Sequence, residues 1–309
     1  MATKRSPQDT NMAQIPEPPN TRKLDIDVPE LKEYLAPGAK VLDVGCGSGT
    51  ITRDVAARVN PGEVIGVDPV AEHVDLAREW ASQAHHSGSV SFRVGDCHRL
   101  DFPDHTFDVV YSHTVAHFFL DPIRALEEQR RVTKPGGWVI ASGVRDLGIS
   151  VRYPRCPNWE RAWEAWRRYS DVLRERFLSS GDGPAEYLAR ELQRDIYFFI
   201  SWESLAGRKC PHWFVQVGLR DLRVQIKGDF VQFPGAAAMQ PGAIDFIPVE
   251  EPLADPPTQG PINACYRRMV EQGYVDPETL SRAQQEARDW YQHPGAFNYW
   301  LLVFVAGKA

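Results

Sequence analysis

The sequence contains no C-x-x-C pair. Its five cysteines, Cys46, Cys97, Cys156, Cys210 and Cys265, are scattered and odd in number. That spacing argues against a disulfide framework and against a cysteine-held zinc ion, and no metal site is expected. Long apolar runs are also missing, since none approaches the roughly 18 residues a membrane-spanning helix requires. The basic residues near the N-terminus are not followed by an apolar stretch, so no secretory signal is read. The expected location is cytoplasmic. Positive charge is in deficit, with 35 Lys and Arg against 41 Asp and Glu, a formal net charge of −6. A protein that grips nucleic acid through phosphates usually carries a basic surface. The balance therefore points to a small neutral or cationic partner and away from nucleic acid. A homodimer stays open.

Residues 1–20 are polar and proline-rich and are expected to be a disordered tail. A short helix is expected over Val28–Leu35, stopped by Pro37-Gly38. A rhythm then begins. Strands are predicted at Lys40–Val44, Val64–Val67, Val90–Val94, Phe107–Tyr111 and Trp138–Ser142. Helices are predicted between them at Ile51–Val59, Ala71–Ala84 and Pro122–Val132, with a turn at Lys134–Gly137. Short buried strands alternating with helices form a parallel sheet covered on both faces. Such sheets bind ligands at the carboxyl ends of their strands. After residue 150 the rhythm breaks. Helices are predicted at Asn158–Phe177, Ala185–Arg194, Pro261–Gln272 and Pro277–Tyr291, with strands at Leu222–Ile226 and Phe297–Val305 and a long loop over 234–260. The expected fold is a Rossmann-like, doubly wound, mostly parallel α/β sheet of seven strands. Its expected parts are a core over 21–150, a helical, aromatic substrate-binding insertion over 151–213, and a C-terminal part over 214–309 that completes the sheet.

The most informative stretch is VLDVGCGSG, residues 41–49, a strand that runs straight into Gly45, Gly47 and Gly49. Glycines allow a tight turn and let a ligand touch the backbone, and the helix that follows offers free amides at its start. A dinucleotide fingerprint, G-x-G-x-x-G, fails by one position, because Thr50 stands where the third glycine would fall. Asp43 at the strand end would repel a pyrophosphate but suits a ligand that bears a cation. S-adenosylmethionine (SAM) carries an ammonium and a sulfonium and no phosphate. Asp68 ends the second strand and can accept both ribose hydroxyls. Asp96 ends the third and can accept from the adenine amino group, with the backbone of Cys97 beside it.

LDVGCGSGTIT, VIGVDPV, VGDCHRLDFPDHTFDVVYS and RALEEQRRVTKPGGWVIAS together resemble the class I SAM-dependent methyltransferases over residues 38–143. The closer resemblance is to the ubiquinone/menaquinone-biosynthesis-type branch and its secondary-metabolite relatives. It implies SAM as cofactor, lined by Asp43, Gly45, Cys46, Gly47 and Gly49, with Asp68 and Pro69 at the ribose. It places His73, Asp96 and Cys97 at the adenine, and Ser112 and His113 beside the methionine part. Only His117 matches a histidine-bearing segment that family members often carry. The segment before residue 28 does not match the helix that often closes over SAM.

A sulfonium methyl is already activated, so alignment matters most and can contribute roughly 7–11 kcal/mol. A base adds on the order of 10²–10⁴-fold when the nucleophile must lose a proton. His117 is the first candidate and His113 the second. Each could instead be structural. Tyr153, Trp159 and Trp163, with Tyr197 and Trp202 in a second aromatic cluster beside Phe198 and Phe199, are candidate walls for a flat or apolar substrate. His212 and Asp146 are further polar candidates. The expected activity is methyl transfer to a small, aromatic or apolar organic molecule, as in secondary metabolism. Four alternatives stand against it: a SAM-binding cyclase or pericyclase that transfers no methyl, RNA or protein methylation, a silent binding module, and an NAD-dependent oxidoreductase.

Overall fold

The computed structural model describes residues 22–83, 88–181, 205–232, 261–293 and 297–309. The expected tail, the Ala185–Arg194 helix and the 234–260 loop lie outside them.

The elements follow the apolar patterning. A four-residue helix α1 (Leu24–Asp27) and a 3-10 helix (Pro29–Tyr34) lead into β1 (Lys40–Val44), α2 (Thr50–Val59), β2 (Glu63–Asp68) and α3 (Ala71–Gln83). Then come β3 (Ser89–Val94), β4 (Phe107–His113), a 3-10 turn (Ala116–Phe118), α4 (Pro122–Val132) and β5 (Thr133–Tyr153). The chain continues through α5 (Pro157–Ser180), α6 (Ala206–Gln216), β6 (Arg220–Gln232), α7 (Pro261–Glu271), α8 (Pro277–Gln292) and β7 (Phe297–Lys308).

The seven strands form one sheet in the order β3-β2-β1-β4-β5-β7-β6, with β7 antiparallel. From β1 the order runs outward to β2 and β3 on one side and to β4 and β5 on the other, all parallel. The β1/β4 boundary is thus the switch point where such a sheet opens a crevice for ligands. β1 and β2 are near-continuous apolar runs because both of their faces are covered. One core cluster joins Val41, Val64, Val109, Tyr111 and Ile140 to Ile51, Val55 and Val59 of α2. Another sets Leu42, Val44, Ile65 and Val110 against Val132 at the end of α4. α4 starts where the sequence places it, because the Asp121 side chain accepts from the Arg124 amide at 3.0 Å and Pro122 follows at the first helical position.

β5 differs from expectation. It runs over 21 residues, and Lys134–Gly137 is an irregularity inside it. Phe107 pairs with Thr133 and Val109 with Trp138, so the residues between are displaced from the ladder, with Gly136 at φ +80°.

The chain divides into two units. One holds the described residues up to Arg145 together with Ala206–Lys227 and Leu302–Ala309. The other holds those of Asp146–Leu205 and Gly228–Leu301. The part after residue 214 is thus not one piece completing the sheet, because α7 and α8 belong with α5. Within that second unit Glu286 of α8 caps α5. One carboxylate oxygen accepts from the amides of Asn158 (2.8 Å) and Trp159 (3.0 Å), and the other accepts from Asn158 Nδ2 (2.6 Å). Orphan amides at the start of α5 are satisfied by a neighbouring helix, since Cys156 at the cap position makes no side-chain bond there. Among the described residues no helix is long and apolar enough to cross a membrane.

Candidate active site

The loop between β1 and α2 is built from backbone. Gly45, Gly47 and Gly49 lie at φ +79°, +53° and +74°, a region other residues enter at a cost. A Cβ at Gly45 would sit 2.5 Å from Val115 Cγ2, and one at Gly49 would sit 2.5 Å from the Phe92 ring. The amides of Gly45 and Cys46 both donate to the Val67 carbonyl, at 2.8 and 3.0 Å. Asp68 fixes the loop further. Its Oδ2 accepts the Gly47 amide (2.9 Å), its Oδ1 accepts the Val70 amide (3.0 Å), and His73 Nδ1 lies 3.2 Å from Oδ1. Pro69, next in the chain, is exposed.

Asp43 stands at the carboxyl end of β1, 3% exposed, beside Tyr111 in the parallel register. Its Oδ2 accepts from Tyr111 Oη at 2.6 Å and from Thr52 Oγ1 at 2.7 Å. Burial pushes its pKa up to about 6, against the lowering effect of those two bonds, with Asp68 adding to the rise. Asp43 lines a small cleft together with Gly45, Cys46, Gly47, Thr50, Ile51, His113, Thr114, Val115 and Arg22. The exposed Arg22 donates to Thr114 Oγ1 at 3.2 Å, and Thr114 itself holds φ +58°.

At the end of β3, Asp96 Oδ1 accepts from the amide of His98 (2.9 Å) and lies 2.7 Å from its Nδ1. Burial would raise Asp96, but the bonds from His98 outweigh it and hold the carboxyl below its ordinary value. Asp96, Cys97 and His98 are the one group of potential metal ligands close together among the described residues. His98 Nε2, however, accepts the Asp121 amide at 3.3 Å, so Nδ1 carries the proton toward Asp96 and neither nitrogen is left to ligate. The segment beyond is clamped from α4. Arg131 donates to the carbonyls of Leu100 (2.8 Å) and Phe102 (2.8 Å) and to Asp104 (2.7 Å). It also bonds both carboxylate oxygens of Glu128 (2.9 and 2.8 Å), and Glu128 accepts the Leu100 amide (2.9 Å).

The two histidine candidates part company. His113 lines the cleft, with Nδ1 3.3 Å from Ser142 Oγ. Burial lowers its pKa to about 3, helped by the charges of Arg22 and Arg145. His117 is 1% exposed in the Ala116–Phe118 turn, its ring 4.2 Å from that of Phe118, and it does not line the cleft. Burial holds it well below the usual histidine value as well. Of the two, His113 is the one that lines the cleft. Ser112 is fully buried, and its Oγ meets no hydrogen-bond partner among the described residues.

The aromatic candidates belong to the second unit. Trp159 is 1% exposed and meets Trp290 edge-on at 5.9 Å. It packs in the core between α5 and α8. Trp163 is half-buried and Tyr153 is exposed. Tyr197, Phe198, Phe199 and Trp202 lie outside the described residues. Asp146 is buried and His212 is exposed on α6. Sequence reasoning missed Arg22, Thr52 and Tyr111. The last two carried a signal: Thr52 is one turn into α2, and Tyr111 pairs with Asp43 in the register the parallel strands impose.

A family model described as "Methyltransferase domain" matches residues 42–141, the span from β1 to β5 that carries this geometry. A demethylmenaquinone methyltransferase of Lactiplantibacillus plantarum is 38% identical over 193 residues, 62% of this chain and 75% of that protein. A probable methyltransferase of Aspergillus luteorubrus is 34% identical over 204 residues, 63% of this chain and 68% of that protein. The chain belongs to the class I SAM-dependent methyltransferases. An uncharacterized methyltransferase of Schizosaccharomyces pombe is 42% identical over 128 residues, 40% of this chain but only 46% of that protein's length. The family implies SAM as cosubstrate. The cleft of this methyltransferase suits it chemically. A carboxylate (Asp43) and a guanidinium (Arg22) line the same space, complementary to a zwitterionic amino-acid end, and the glycine loop presents bare backbone between them.

Proposed function

We propose that this methyltransferase transfers the SAM methyl group to a small organic molecule, aromatic or apolar in character. The observation that carries the reading is the cleft at the β1/β4 switch point, where Asp43, Arg22 and the glycine loop converge. Asp43 faces the ammonium of the cofactor and Arg22 its carboxylate. Asp68 holds the ribose, and His73, Asp96 and Cys97 lie along the adenine side. SAM supplies an electrophilic methyl on a sulfonium, so the protein's task is alignment and exclusion of water. His113 is the cleft group placed to take a proton if the nucleophile must lose one, and its pKa must rise toward neutrality in the substrate complex for it to act as an efficient base. The small-molecule reading is supported by a relative named for demethylmenaquinone, and the acidic balance of the chain weighs against RNA.

The test is a calorimetric titration of SAM, followed by a screen of small phenols, quinols and amines for S-adenosylhomocysteine release. Micromolar binding together with release on one chemical class supports the proposal. Turnover of a substrate without S-adenosylhomocysteine would replace it with the cyclase reading, in which SAM serves the fold or the field and transfers no methyl.

A further inference from the structure

Tyr111 and Thr52, the two buried partners of Asp43, have no part in binding or alignment as described so far. Both hydroxyls donate to the same oxygen, Oδ2, in bonds of 2.6 and 2.7 Å. No bond from the described residues falls on Oδ1, and Asp43 lines the cleft. The three side chains come from three elements, β4, β1 and α2. Tyr111 is fully buried, Thr52 likewise, and neither lines the cleft. A solvent-facing role for the two hydroxyls is therefore closed, and what they act on is the carboxylate.

We propose that Tyr111 and Thr52 are positioning residues for the cofactor's amino group: they occupy Oδ2 of Asp43 and leave Oδ1 as the acceptor for the ammonium. This rests on the reading of the cleft as the SAM site. Two donors on one oxygen fix the carboxylate plane and favour the anion. The other charged or titratable groups near Asp43 are Asp68 at the end of β2, the Cys46 thiol in the loop, and Arg22 and His113 on the cleft wall. Asp68 opposes a second negative charge, so the anion of Asp43 depends on the two hydroxyls. Cys46 and Tyr111 are themselves held in their neutral forms by burial beside these carboxylates.

The experiment is calorimetric binding of S-adenosylhomocysteine, and of its analogue lacking the amino group, between pH 5 and 8.5. The proteins are the wild type, Tyr111→Phe and Thr52→Val, with Thr52→Ser as a conservative control. Expected is a loss of about tenfold in S-adenosylhomocysteine affinity at pH 7 for Tyr111→Phe, with the pH midpoint of binding moved upward from about 6. The deaminated analogue should bind the variants and the wild type alike, and Thr52→Ser should restore what Thr52→Val loses. Equal losses for both ligands would show a merely structural role and overturn the proposal, as would an unmoved pH midpoint. If the wild type binds neither ligand, the reading of the cleft itself fails, and the proposal goes with it.

Discussion

Asp68 accepts the backbone amide of Gly47 at 2.9 Å, so the acid that ends one strand holds the glycine loop that leaves its neighbour. Asp68→Ala should therefore cost more than a ribose contact. Charge-assisted bonds contribute roughly 1.5–3 kcal/mol each, so losing two at the ribose should weaken SAM binding by on the order of 10²–10⁴-fold. Calorimetry checks this, and an Asp68→Ala protein with wild-type affinity would remove Asp68 from the site.

Gly45→Ala places a methyl 2.5 Å from Val115 Cγ2 at a backbone φ of +79°. The strained conformation alone costs about 1–3 kcal/mol. Adding Val115→Ala relieves the contact but not the φ, so the double variant should recover part of the lost stability in denaturant unfolding. Strict additivity of the two changes would show that the contact carries no energy.

Asp43 has a folded pKa of about 6, raised by burial above its ordinary value. The native state therefore holds its proton more tightly than the unfolded chain between about pH 4 and 6, and stability contributed by this group falls as pH rises through that window. Above it the buried charge is a standing cost. Asp43→Asn keeps an acceptor for Tyr111 and Thr52 and removes the charge. It should stabilise the fold at pH 7 by on the order of 1–3 kcal/mol while weakening SAM binding. Thermal unfolding at pH 7 and at pH 4 is the measurement, and the gain should vanish at the lower pH.

The histidines have the opposite sign. Burial depresses His113 to about 3 and His117 well below its usual value. Their contribution to stability is present above about pH 6.5 and is lost as pH falls through their depressed folded values, about 3 for His113. His113→Gln should shift acid unfolding to lower pH. It should also lower kcat by about 10²–10⁴-fold if the nucleophile is a phenol or ammonium. His117→Gln should change stability and leave kcat within severalfold. A kcat loss confined to His117→Gln would restore the order read from the sequence.

Arg22→Ala removes the guanidinium that lines the cleft. About a tenfold rise in KM for SAM, with kcat little changed, is expected for loss of one partly exposed charge-assisted contact. No change would confine Arg22 to its bond with Thr114.

The sheet was legible because its signal is local and repeated. Lys40–Val44, Glu63–Asp68 and Phe107–His113 are mostly apolar runs with a polar residue at or next to the last position, and that pattern needs no tertiary information. The glycine loop and its three acids could be read for the same reason. Burial depth could not. His113 and His117 are four positions apart and look alike in sequence, yet one lines the cleft and the other is buried outside its lining. Trp159 looked like a pocket wall because an aromatic stripe on a helix has the same spacing whether it faces a substrate or another helix. What decided its place was Trp290, 131 positions away in the chain. Arg22 carried no signal, because a single cation in a polar segment acquires meaning only from the cleft it reaches.

The clamp that Arg131 and Glu128 place on the Leu100–Asp104 segment bears on turnover. With the cofactor seated as proposed, its adenosine half rests near a stretch of chain tied at four points to one helix, with little freedom to adjust. A rigid surface of that kind meets the cofactor and its demethylated by-product identically and cannot favour release of one over the other. Any discrimination between spent and fresh cofactor then falls to the opposite end of the cleft, where the two differ by the methyl group and the sulfonium charge it brings, so the by-product should be a strong competitive inhibitor.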